Sequence, residues 1–243
     1  MDSHTQVLEV WGDLACYSRP ELKVERFSYP LPPPSAVRGI FEAIYTKPKE
    51  FRWQVERVEV LSAPSYIALR RNEVKEKASV AAVEQWAKGQ KAPEPIWADG
   101  DRELLGSDEK GRTQRQTMAL RNVRYRLHAT IRSWPGFERQ LAAFEAQFRR
   151  RAEAGKCFYQ PYFGCREFAA FFELREATTT EPPPDPWSAD LGLMLYDVFD
   201  LSRPGNAADK PAISLFRASV KDGVMHVPRY EDAAVIKLSG GAI

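Results

Sequence analysis

Between Lys110 and Phe137 the chain carries seven basic residues (Lys110, Arg112, Arg115, Arg121, Arg124, Arg126 and Arg132) and neither aspartate nor glutamate. Such a run is the electrostatic footprint for a polyanion. Within it Val123, Tyr125, Leu127, Ala129 and Ile131 share one strand parity, while Arg124, Arg126, His128, Thr130 and Arg132 share the other. The spacing predicts a half-buried strand whose outer face is a cationic ladder. Arginines in that array would neutralise phosphate, and His128, the one histidine on the face, is the side-chain type suited to proton transfer. Gly111, Gln114 and Gln116 make a polar approach to it. Two more candidates stand earlier. Tyr45 follows Phe41 at i+4 and precedes Pro48, so it reads either as a core aromatic or as a hydroxyl aimed at a cleft. Lys47, two residues on and roughly 200° around the helix, is a secondary cation that joins Tyr45 only if the helix frays at Pro48. In FGCREF, Gly164 reads as a bulge or a close backbone approach, Cys165 as a buried structural residue and Arg166 as a phosphate contact. Cys16, Cys157 and Cys165 form no CxxC, and with only His4, His128 and His226 no zinc spacing can be assembled. Neither a metal nor a cofactor is expected. His4, near the start, and His226 read as solvated or structural.

The elements that must position these groups follow from periodicity. TQVLEVWGDLAC alternates as a strand. A proline cluster (Pro30, Pro32, Pro33, Pro34) then forbids regular pairing, and Ser35 is placed to cap a helix. Val37, Ile40, Phe41, Ile44 and Tyr45 make one face of that helix, which is expected to run until Pro48. FRWQVERVEVL and SYIALRRNEV read as two strands. Residues 75–110 read as a charged surface insertion with one short helical piece at Val80–Trp86, and Phe137, Leu141, Phe144 and Phe148 mark a second helix ending at Gly155. Strand, helix, two strands, a further strand and a helix give an α+β, split βαβ or ferredoxin-like order. The expected division is a ferredoxin-like domain over 1–160, with its insertion around 75–115, and a small antiparallel β domain over 161–243, joined by TTTEPPPDPWS.

Hydrophobic residues make up 44% and charged residues 28%, with a net charge of +2, which excludes disordered, collagenous and coiled-coil classes. Glu9, Asp13, Glu21 and Glu25 interrupt the first 25 residues, and no later stretch approaches 18 apolar residues. Neither a signal peptide nor a membrane span is expected, and the reading is cytoplasmic.

Three blocks, PLPPPSAVRGIFEAIYTKPKEFRW, RTQRQTMALRNVRYRL and YFGCREFAAFF, taken together resemble the CRISPR-associated Cas-five family in its type I-C variant. The resemblance spans most of residues 1–175. It implies a ferredoxin-like N-terminal domain of the RNA-recognition type, a β-hairpin thumb and a small C-terminal sheet. It also implies a metal-independent endoribonuclease that binds the CRISPR repeat stem-loop, cuts precursor crRNA by 2′-hydroxyl attack and stays on the 5′ handle among the backbone and large subunits of the type I-C complex, with duplex DNA as a further partner. The family's catalytic tyrosine falls on Tyr45 and its lysine-histidine pair on Arg115 and Gln116. Here the sequence departs: arginine keeps the cation, but glutamine carries no titratable proton. RNA contacts are expected from Lys47, Arg121, Arg124, Arg126 and His128. The alternative is a non-cutting subunit that only grips the 5′ handle.

Overall fold

The computed structural model describes residues 3–22, 24–97, 102–106, 110–206 and 208–237. In chain order the strands are β1 (Gln6–Ala15), β2 (Arg26–Phe27), β3 (Phe51–Val60), β4 (Tyr66–Val74), β5 (Arg112–Ser133), β6 (Phe171–Arg175), β7 (Ala189–Asp197), β8 (Ser214–Val220), β9 (Val224–His226) and β10 (Val235–Lys237). The α-helices are α1 (Pro34–Ile44), α2 (Val80–Ala87), α3 (Arg102–Leu105) and α4 (Leu141–Glu153). None of these helices is long and apolar enough to cross a membrane.

The first sheet runs β6-β1-β5-β3-β9, with β2 and β4 also pairing to β5. Both β1 and β3 lie antiparallel to β5, so they are parallel to each other with β5 inserted between them. This is the split βαβ arrangement, with α1 as the crossover. A second sheet, β10-β8-β7, is tied to α1 by Arg38, whose Nε and Nη2 donate to Asp197 Oδ2 and Oδ1 at 2.8 and 3.1 Å. The expected division at residue 160 does not follow the sheets. β6 pairs with β1 and β9 with β3, so both extend the first sheet, and residues 238–243 of the expected second domain lie outside the described residues.

The core forms where α1 and α4 press aromatic side chains onto the sheet. The Phe41 and Trp53 rings are 4.8 Å apart and the Trp53 and Phe148 rings 4.7 Å apart. α1 begins at Pro34, capped by Pro33 rather than by Ser35. Proline suits the first helical position because it lacks an N–H that would be orphaned there and its φ is already helical. The helix stops at Ile44, and Tyr45 has extended backbone (φ −154°, ψ 126°). Tyr45 is therefore not a further helical position, and neither is Lys47.

The inward parity of β5 is as expected, with Val123, Tyr125, Leu127, Ala129 and Ile131 buried. Its outward parity is not. Arg126 and His128, expected on an exposed cationic face, are 1% and 2% exposed. Glu59 on β3 stands opposite Arg126 in register; Arg126 Nη1 donates to Glu59 Oε2 at 2.5 Å, and His128 Nε2 lies 2.9 Å from Glu59 Oε1. From above, Arg126 Nη2 donates to the Pro182 carbonyl at 2.8 Å. Arg124 remains exposed but donates through Nε to the buried Glu9 at 2.7 Å. The acidic partners sit on neighbouring strands, opposite or diagonal in register, rather than in the basic run.

Burial pushes the Glu59 carboxyl up, but His128 and Arg126 outweigh it and hold it below the ordinary 4.5. Its contribution to stability is therefore complete above that pH and lost as pH falls through the lower folded value. Replacing Glu59 by alanine should cost about 3–5 kcal/mol, because two cationic or polar groups would be left buried without their acceptor. Thermal melts between pH 3 and 7 would check both points: Glu59→Gln should lie well below wild type at pH 7 and converge on it at low pH.

Candidate active site

The last carbonyls of a helix have no partner within it. At the end of α1 the last two carbonyls and that of Tyr45, which follows the helix, are each met by a donor from a different element. The Ala43 carbonyl accepts from Phe158 N–H at 2.7 Å, the Ile44 carbonyl from Arg151 Nε at 2.6 Å, and the Tyr45 carbonyl from the Trp53 indole at 2.9 Å. Tyr45 is held by this capture, with its ring 5.5 Å from that of Phe51. In the following turn Lys47 Nζ donates to Glu50 at 2.9 and 3.1 Å and lies 5.4 Å from the centre of the Phe144 ring. Because both residues follow the helix end, Lys47 needs no fraying of a helical turn to reach the neighbourhood of Tyr45.

Burial pushes the Tyr45 phenol above its ordinary 10, with Glu50 adding to the rise and Lys47 and Arg151 opposing it. It is protonated at neutral pH and can donate a proton or a hydrogen bond. Lys47 is likewise raised, chiefly by its bond to Glu50, and stays charged. An imidazole stands at the same end of the sheet. His4 Nδ1 lies 2.9 Å from Oε2 of the nearly buried Glu145, whose Oε1 takes the His4 N–H at 2.7 Å. Ser3 Oγ accepts from Ile131 N–H at 3.0 Å, and Ile131 pairs with Trp53. With Nδ1 engaged by the carboxylate, Nε2 is the ring nitrogen outside this contact. Neither Arg151 nor the His4 pairing was legible beforehand. Arg149, Arg150 and Arg151 are a basic triplet near a helix end, where positive charge suits the helix dipole with no further contact implied, and His4 and Glu145 are separated by 141 residues.

Arg115 and Gln116 are elsewhere. They pair with Arg71 and Arg70 of β4 on an arm whose tip carries α2 and α3, and Gln116 N–H donates to Glu25 at 2.5 Å. Tyr45 packs on Phe51, opposite Ser133 at the other end of β5. Gln116 and Ser133 are separated by roughly 55 Å of extended strand. The structure thus brings Tyr45 together with Lys47, Arg151 and the His4 end of the sheet, not with Arg115 and Gln116. Between the two ends, Arg121 Nε donates to Ser65 at 3.0 Å, and Arg124 and Arg175 line a cleft of about 610 Å³ together with Trp11 and the carboxylates of Glu9, Asp13 and Glu173. Arg126 and His128 are buried. Gly164 (φ +79°) does mark a close approach, but to the protein itself: a Cβ there would fall 2.0 Å from the Cys16 carbonyl oxygen. Cys165 is buried, as expected.

Residues 5–228 match the Cas5d family of CRISPR-associated proteins (Cas_Cas5). The chain is 35% identical over 246 residues to the CRISPR pre-crRNA endoribonuclease Cas5d of Thermus thermophilus, covering 96% of both chains. It is 36% identical over 229 residues to the protein of the same name from Mannheimia succiniciproducens, covering 92% of this chain and 94% of that one. Its fold is also that of a crystal structure of a CRISPR-associated protein, with a TM-score of 0.61 at 19% identity over 97% of this chain and 98% of that one.

Arg151→Met would keep most of the side-chain stem and remove the donor from the Ile44 carbonyl. A loss of about 1–3 kcal/mol is expected if that acceptor goes unsatisfied, read as a lower urea midpoint with an unchanged slope.

Proposed function

The chain belongs to the CRISPR-associated Cas5 family in its Cas5d, type I-C form, and from that premise we propose that it is a metal-independent endoribonuclease that matures precursor crRNA. In this reading it binds the repeat stem-loop, cuts on its 3′ side and stays on the 5′ handle as a subunit of the type I-C surveillance complex. The observation that carries the proposal is full-length similarity to two proteins named pre-crRNA endoribonucleases, with Tyr45 fixed at a helix end among Lys47 and Arg151.

The chemistry asks the protein mainly for alignment and charge. The substrate's 2′-hydroxyl attacks the adjacent phosphorus, the bond to the 5′-oxygen breaks, and the products are a 2′,3′-cyclic phosphate and a 5′-hydroxyl. One proton leaves the attacking oxygen and one reaches the departing oxygen, while negative charge grows on the phosphorane. A phenol that stays protonated suits the departing oxygen or a non-bridging oxygen. Lys47 and Arg151 suit the developing charge. Gln116 has no proton to shuttle, and with the long span between it and Tyr45, Arg115 and Gln116 fit a role in gripping RNA along the β4–β5 arm, with Arg121 and Arg124 continuing that grip. The second reading, a subunit that holds the 5′ handle without cutting, is favoured by that same separation. Duplex DNA remains a further partner in either case.

End-labelled cognate repeat RNA incubated in EDTA separates these readings: the first expects a cyclic-phosphate product, the second a bound, uncut RNA. Tyr45→Phe keeps the ring on Phe51 and removes only the hydroxyl, so single-turnover cleavage should fall by about 10² to 10⁴ while binding changes a few-fold at most. RNA with 2′-deoxy before the cut should bind and not react; its cleavage would overturn the mechanism. Arg115→Ala should weaken binding with little effect on the rate at saturating RNA.

The cationic residues that keep solvent access make a separate prediction. Arg121→Ala and Arg124→Ala should each lower the slope of log affinity against log salt by roughly 0.7 to 0.9, one phosphate contact apiece. Arg126→Ala should act through stability instead. Salt titrations of repeat binding against thermal melts would distinguish the two kinds of effect.

A further inference from the structure

The segment after α4 is pinned at both ends and presents aromatic rings between the pins. At its start Phe158 N–H donates to the Ala43 carbonyl at 2.7 Å. At its far end Cys16 N–H donates to the Phe163 carbonyl at 3.0 Å, beside Gly164 where only glycine fits against Cys16. Phe163 itself is buried. Between these points Phe158 is 57% and Tyr159 49% exposed, which is a costly display of apolar surface for two adjacent residues unless something covers them. Phe158 has one face occupied, with the Arg151 guanidinium 4.2 Å from its ring centre, and that cation–π contact sets the ring's orientation while leaving the opposite face open. Tyr159 lines a cleft of about 440 Å³ with Tyr162 and Arg166. From Lys156 to Arg166 there is no acidic residue, and both of those basic side chains are exposed.

We propose that residues 156–166 form a base-stacking track for single-stranded RNA, in which Phe158 and Tyr159 each take a nucleobase and Lys156 and Arg166 meet the intervening phosphates. The inference rests on the RNA-processing reading above and deepens it: the Ala43 and Ile44 carbonyls that hold Phe158 and Arg151 immediately precede Tyr45, so nucleotides on the track lead directly to the reacting phosphate. Aromatic faces flanked by cations suit sequence-tolerant single-strand binding, since every base has a π-face and every linkage a charge. A purely apolar protein partner would make no use of the exposed Lys156 and Arg166. The track requires no base-specific contact, so it seats unpaired nucleotides flanking the repeat stem rather than the stem itself.

The test uses the full chain and a short oligoadenylate RNA carrying one 2-aminopurine, which contains no repeat and so measures the track apart from cleavage. Stacking should quench the fluorophore on wild-type protein. Phe158→Ala and Tyr159→Ala should each weaken binding by roughly 5- to 150-fold, the range for one lost base–aromatic stack, and reduce the quench, with thermal melts unchanged. Phe158→Trp and Tyr159→Phe, which keep a ring, should retain both. On cognate repeat RNA the alanine variants should raise the concentration for half-maximal cleavage and leave the saturated rate near wild type. Wild-type affinity and quench in both alanine variants would overturn the proposal, as would wild-type protein that binds the oligoadenylate without quench; either is the result expected if this surface seats a protein subunit. A protein that quenches the oligoadenylate but leaves repeat RNA uncut would retain the track and sink only the nuclease reading.

Discussion

Backbone pairing along β5 is the constraint from which the remaining arrangement follows, because a 22-residue strand must find partners for its N–H and C=O groups on both edges. It does so by changing partners partway. On one edge it pairs with β4 from Arg112 to Leu120 and then with β3 from Tyr125 to Ser133; on the other it pairs briefly with β2 at Thr117–Met118 and then with β1 from Leu120 to Ala129. The change falls around Asn122, whose φ of 52° is in the left-handed region that asparagine tolerates better than most residues. One strand thereby belongs to both the layered core and the projecting arm. Anything that displaced its register would move the floor of the candidate active site and the arm together, and a slip of one residue would turn Tyr125 and Leu127 outward and Arg126 inward toward the helices.

Placing a strand so basic at the centre of a sheet requires its charges to be met. Glu59 takes Arg126 and His128, and Glu9, itself buried, takes Arg124 and Arg175. Such a pair contributes little over well-packed apolar residues, but removing one partner is costly, so the cluster holds register more than it adds stability. The consequence for function is a division of labour along one strand. Arginines at the sheet centre serve the fold, and those toward the arm keep their charge facing solvent.

At the other end of the molecule the decisive contacts are ordinary hydrogen bonds to the end of α1. Phe158 N–H, Arg151 and Trp53 close three successive carbonyls, joining α1, α4, β3 and the segment after α4 at one point. Tyr45 occupies that point. Its backbone is fixed by these contacts and its ring, largely buried, packs on Phe51.

Much of this was legible in the amino-acid sequence, and the reason is that local periodicity reports local burial. The inward parity of β5, the apolar face of α1 through Ile44, the short helix in the insertion and the second helix all follow from spacing alone, and three sequence blocks sufficed to place the chain in its family. What periodicity does not carry is the identity of a residue's neighbour in space. The basic run around Arg126 reads as an open ladder because its acids, Glu9 and Glu59, arrive from other strands by register. The helix overran to Pro48 on paper because Tyr45 continues the apolar pattern, whereas the extended backbone at Tyr45 is set by tertiary donors to the last carbonyls. His4 and Glu145, or Ala43 and Phe158, are brought together only by closing the sheet and packing two helices across it. The kinds of chemistry available were written in residue types; which groups share a site was decided by the register of β5 and by the packing of α1 and α4 across the sheet, since only tertiary pairing and packing convert positions far apart in the chain into neighbours a few ångströms apart.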